Sequence, residues 1–212
     1  MSRLLLLALV PLVALQTACF SRSGVQLANR FHSSGIETGA INQPVDYTDP
    51  LLVEQRTILL TTEINEQTSR EIISKLLFLD HRSHEPITLY LSTYGGYIKD
   101  AFAIIDVIEA IDSPVNTIGM GACYSGGALI LAAGTGTRSA LPNTTIVIHS
   151  PTPQGRAPKK LTDLWLHNNS NLLNRRTRLP KRLLPKRVDR RIILSLDDAL
   201  RHGMIDRIAE TL

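Results

Sequence analysis

Two residues of this chain, Ser125 and His149, have the types and placement to do chemistry together. Ser125 stands in Cys123-Tyr124-Ser125-Gly126-Gly127, after the apolar run Val115–Met120 and before the small, apolar stretch to Ala133. That order suits a strand-to-helix elbow. A serine at the start of a helix has free backbone N–H groups beside it, able to hold a developing oxyanion. It also fits a plain N-cap, and no GxSxG string is present. His149 ends the β-like run Thr145–His149. On two neighbouring parallel strands, both residues would reach one edge of a sheet, where histidine could serve serine as general base. Gly95-Gly96, after Ile87–Leu91, could bring a further N–H to that edge.

The elements that must position them alternate. Arg56–Glu63 reads as a strand, and Asn65 caps a helix running to about His81. Ile87–Leu91 is a strand and Ile98–Ile111 a helix. Val115–Met120 is a strand, Ser125–Ala133 a helix and Thr145–His149 a strand. Lys159–Arg178 is a helix with Leu161, Leu164, Trp165, Leu172 and Leu173 on one face. Ser195 to Asp198 is a capping box, Gly203 a helix stop, and Ile205–Ile208 a last strand. The alternation predicts a single α/β domain with a mainly parallel sheet and crossover helices.

The chain has 212 residues, 43% hydrophobic and 20% charged, with a net charge of +4. That is an ordinary globular balance. Between Arg156 and Arg191 stand 12 Lys/Arg against two acids, Asp163 and Asp189. Without interleaved aromatics this reads as a solvated basic face rather than a nucleic-acid site. The two cysteines, Cys19 and Cys123, make neither a disulfide framework nor a zinc site, and Cys123 reads as a small buried filler. The apolar run Leu4–Leu15 is too short to span a bilayer and fits a secretory leader. Leu15-Gln16-Thr17-Ala18-Cys19 resembles a lipobox, with Cys19 as the lipidated residue, although Gln16 stands where leucine is usual. This predicts a signal peptide over 1–18, a polar tether over 19–49 and the domain over 50–212. The protein would then be exported and membrane-anchored through the lipid; a plain secretory signal, an uncleaved signal anchor and a cytoplasmic location are the alternatives.

Together these pieces resemble the ClpP family of serine proteases. The resemblance rests on the serine segment and on Ala132-Ala133-Gly134, Arg138, Leu141-Pro142-Asn143 and Ile148-His149. It also rests on Ile87–Gly96, Phe78-Leu79 and Asp197–Asp206, and it covers about Leu51 to Ala209. It implies a crotonase-like α/β spiral and a serine endopeptidase working through an acyl-enzyme, with no cofactor. Ser125 would be the nucleophile, His149 the base, and the N–H groups of Gly96 and Gly126 the oxyanion hole. Extended peptide would add beside Gly95, with Tyr94, where the family has proline, at the substrate site. Gly126 replaces the family's usual methionine. The third triad residue belongs to the shortened segment between His149 and Ser195, where an ungapped count back from Leu194 puts Arg187 at its place. Asp189, two residues later, is the nearest acid, and a surface aspartate paired with its arginine neighbours is the alternative. The resemblance further implies a homo-oligomeric ring acting on peptides or unfolded proteins. An ATP-driven unfoldase partner is compatible only with a cytosolic location. A non-catalytic ring or scaffold subunit, and more distantly an acyl-CoA enzyme of the same fold, are the alternatives.

Overall fold

The structure is a computed structural model that describes residues 50–150, 158–184 and 191–210. The leader, Cys19, the tether and Asp189 lie outside the described residues. Elements follow in the order α1 (Pro50–Glu54), β1 (Thr57–Leu60), α2 (Glu66–Arg82), β2 (Ile87–Thr93), α3 (Ile98–Ala110), β3 (Val115–Tyr124) and α4 (Gly126–Ala133). Then come β4 (Arg138–Ala140), β5 (Thr145–His149), α5 (Lys159–Arg176), β6 (Arg191–Leu194), α6 (Leu196–Arg201) and β7 (Arg207–Ile208).

The strands form one mixed sheet in the order β1-β2-β3-β4-β7, with β5 joined to β3 and to β6. Every pairing is parallel except β5 with β6. The fold is the α/β arrangement the alternation predicts. Its buried strands read as apolar runs because helices cover them. Leu89 and Leu91 of β2, Ile104, Ile105 and Ile108 of α3, and all of α4 lie in the core. The Asn65 side chain caps α2 by accepting from the Thr68 N–H at 3.0 Å. Such a cap stabilises by roughly 1 kcal/mol.

The departures from the expected elements have physical causes. β1 begins at Thr57 rather than Arg56, because Arg56 has φ +53 and leaves the extended region. From there its guanidinium donates to the carbonyls of Leu79, Ser83 and Glu85, closing the end of α2 and the approach to β2. β3 does not stop at Met120. Gly121, at φ +59, lets the backbone jog and continue to Tyr124. β4 and β6 are too short to announce themselves by periodicity. α5 ends at Arg176 rather than Arg178, and its apolar face is only half covered. Leu172 and Leu173 are buried, whereas Leu161 is 37% and Leu164 52% exposed.

Arg138 locks the C-terminal elements to β4. It donates to the Asp206 carboxylate at 2.6 Å and to the carbonyls of Arg176 and Gly203. Burial pushes the Asp206 carboxyl up, but the hydrogen bonds and charge of Arg138 outweigh it, leaving the pKa below the ordinary 3.8. A lowered native value means this stabilisation is present above the unfolded pKa and is lost as pH falls through the native one. Arg138→Ala strips three acceptors of a charged donor and is expected to cost about 2–3 kcal/mol, lowering the melting temperature by roughly 5–10 °C at pH 7. Asp206→Asn is expected to flatten the loss of stability below about pH 4, read by circular dichroism melts across pH.

Candidate active site

β3 carries Ser125 to its place. The strand pairs first with β4, through Thr117–Gly119, and then with β5, through Ala122–Tyr124. The Ser125 N–H donates to the Val147 carbonyl at 2.8 Å, so the chain turns immediately beyond a ladder bond. Ser125 has φ +54 and ψ −121. For a residue with a Cβ this is a sparsely populated conformation costing roughly 1–3 kcal/mol. It is the sharp strand-to-helix turn that lifts a serine hydroxyl clear of a sheet. Although Ser125 is the N-cap of α4, its side chain makes no capping hydrogen bond. The plain capping role is therefore not what holds the hydroxyl. The Gly126 N–H beside it is among the first donors of α4 and has no intrahelical partner.

Gly95 and Gly96 approach from β2. A Cβ on Gly95 would lie 2.7 Å from the Ser125 Cβ and 2.9 Å from the Tyr124 carbonyl oxygen, and its φ is +94. A Cβ on Gly96 would lie 2.0 Å from the Ile64 carbonyl oxygen. Ile64 forms a parallel bridge with Gly96: its N–H donates to the Gly95 carbonyl, and its carbonyl accepts from the Tyr97 N–H. Those bonds flank Gly96, so the N–H and carbonyl of Gly96 itself turn to the opposite edge. The Thr93 hydroxyl fixes the same turn by accepting from the Gly95 N–H and donating to the Thr62 carbonyl.

His149 ends β5, next to β3, as two neighbouring parallel strands require. Its Nδ1 lies 2.6 Å from the Ser150 carbonyl oxygen. A carbonyl only accepts, so in the neutral ring Nδ1 carries the proton and Nε2 is left with its lone pair. That is the tautomer of a general base. The residue paired with His149 across the antiparallel β5–β6 ladder is the exposed Arg191. Asp189 precedes Arg191 by two positions, outside the described residues.

One cavity of about 1090 Å³ is lined by Ser125, His149, Gly95, Gly96 and Tyr94 together. Tyr94 is 77% exposed and meets Tyr124 edge to face, with ring centroids 5.2 Å apart. A hydroxyl, an imidazole and two glycine-borne edges on one cavity are a set suited to acyl transfer. Cys123, one residue from Tyr124, takes no part. Its Sγ donates to the Leu91 carbonyl, and burial pushes the thiol up to about 12. Among the described residues no cluster of His, Cys, Asp and Glu could hold a metal ion.

The α5 wall of the cavity was not legible as such. Trp165 and Asn169 both line it, one helical turn apart. The signal was there: Asn169 is the polar member of the stripe that continues as Leu172 and Leu173, at i+3 and i+4. Periodicity alone marks such a stripe only as core.

Gly95→Ala forces a Cβ against Ser125 and into a left-handed conformation. It is expected to cost about 2–4 kcal/mol, seen as a lower denaturant midpoint. Tyr94→Ala, at the exposed neighbouring position, is expected to change stability by less than about 1 kcal/mol in the same measurement.

A family model described as Clp protease matches residues 42–212. Among solved structures, the chain is similar to a ClpP1 mutant from Listeria monocytogenes. The identity is 28% and the TM-score 0.70, over 76% of this chain and 95% of that one. With the match running from before α1 through β7, the chain belongs to the Clp protease family.

Proposed function

We propose that the chain is a serine endopeptidase in which Ser125 is the nucleophile and His149 its base. The observation that carries this is the strained, uncapped Ser125 at the end of β3, sharing a cavity with His149. Nε2 of His149 takes the hydroxyl proton as Oγ attacks a peptide carbonyl, and the N–H groups of Gly96 and Gly126 receive the oxyanion. Histidine returns the proton to the leaving amine, and water then hydrolyses the acyl-enzyme. Substrate runs extended along the edge of Gly95-Gly96 opposite Ile64, with Tyr94 at the rim. Ser125→Ala is expected to abolish fluorophosphonate labelling and to lower peptide hydrolysis by at least about 10⁴-fold. Equal behaviour of wild type and variant in both assays refutes the proposal.

Asp189 is proposed as the third member. Its support is its place two residues before Arg191, the residue paired with His149. Asp189→Asn is expected to lower kcat by up to about 10⁴-fold. Unchanged activity assigns the orienting role to the Ser150 carbonyl instead. That carbonyl, already on Nδ1, favours a second reading: a catalytically weak subunit of a ring. Ring assembly itself is proposed from the family and from apolar side chains left exposed, Leu164 on α5 and Ile193 on β6.

Export and lipidation at Cys19 are proposed from the leader sequence alone. Among the described residues no helix is long and apolar enough to cross a membrane. The leader lies outside those residues, and the anchor in this reading is the lipid or the uncleaved leader itself. Cys19→Ala is expected to move the protein from the detergent phase to the aqueous phase on Triton X-114 partitioning. Aqueous partitioning of the wild type refutes lipidation and leaves a plain secretory leader or the cytosolic alternative, the latter with its unfoldase partner.

A further inference from the structure

Asn169 is 2% exposed and lines the cavity that holds Ser125, and its Oδ1 has no hydrogen-bond partner among the described residues. It stands on the stripe of α5 whose other buried members are Leu172 and Leu173. A leucine or methionine there would continue the apolar stripe with no polar atom to satisfy. An unpaired buried amide oxygen is a cost that folding alone does not offset. It makes sense where a ligand completes it.

The surroundings narrow the ligand. Trp165, one turn earlier on the same helix, also lines the cavity, so the α5 wall pairs a flat apolar surface with an amide. Neither residue is charged, so this wall offers no counter-ion to an acidic or basic side chain. An amide presents both a donor and an acceptor whichever way round its oxygen and nitrogen stand. Its full complement is another primary amide, which can pair with it through two hydrogen bonds while its methylenes lie on the indole. A thioether or aliphatic side chain of similar length fills the space but leaves Asn169 unpaired.

We infer that Asn169 and Trp165 form a specificity pocket for an amide side chain, glutamine above all, in a peptide seated at Ser125. This rests on the proposal that Ser125 marks a peptide site, and it adds the class of side chain that the site selects.

Trp165 is the single tryptophan of the chain, so its emission reports occupancy without any turnover. The experiment titrates the full chain carrying Ser125→Ala with alanine hexapeptides that differ only in one central residue, glutamine or methionine. Expected is binding about tenfold tighter for the glutamine peptide, with the difference lost when Asn169→Leu is added. Asn169→Asp, which keeps the volume and an acceptor, is expected to retain part of the preference and guards against a misfolded leucine variant. Equal affinities, a preference for methionine, or no response from Trp165 up to millimolar peptide overturns the inference. Hydrolysis of the same peptides by wild type is measured in parallel. Turnover without glutamine preference sinks the pocket alone. Glutamine preference without turnover sinks the catalytic proposal and leaves the pocket standing.

Discussion

The site depends on how β3 divides its partners. One edge of this strand pairs with β2, with a register shift between Leu91–Gly119 and Thr93–Cys123, while the other passes from β4 to β5 near Gly121. Because β3 and β5 run parallel, their C-terminal ends emerge side by side, and each ends at a residue with chemical capacity. A strand that stopped with β4 would leave Ser125 with no histidine beside it. The register is exacting, since a slip of one residue would turn every side chain to the other face.

Strain at Ser125 has to be held by its surroundings. The holding elements are the fully buried α4 behind it, the Val147 carbonyl in front of its N–H, and Gly95 against its Cβ. Packing this close leaves no space for a side chain on Gly95. The same dense packing keeps Cys123 a filler, since a buried thiol with a raised pKa is a poor nucleophile.

Two arginines serve the backbone rather than the site. Arg56 and Arg138 direct their donors to carbonyls at and just beyond helix ends. Arg175 and Arg176 of α5 share Glu109 of α3. The basic segment is therefore partly engaged in structural pairs. Around His149 the charge is less ordinary, because the ladder places Arg191 opposite it and a backbone carbonyl holds its Nδ1.

Much of the fold was legible from residue order. Asn65, Ser195 and Gly203 mark helix ends through their own backbone chemistry, and the isoleucines of α3 mark its buried face by spacing. Those signals are local, so a sequence carries them intact. The serine, the histidine and the glycine pair were legible as candidates for the same reason. What required tertiary structure was everything set by contact between distant segments. The continuation of β3 past Met120, the short strands β4 and β6, and the exposed half of α5 depend on what lies alongside. So do the Ser150 carbonyl on His149 and the placing of Asn169 in the cavity wall. Residue types and spacing determined which groups could react. The long-range pairing of β3 with β5, and the packing of α5 against α4, decided which groups share a cavity, because neither is encoded in any one segment.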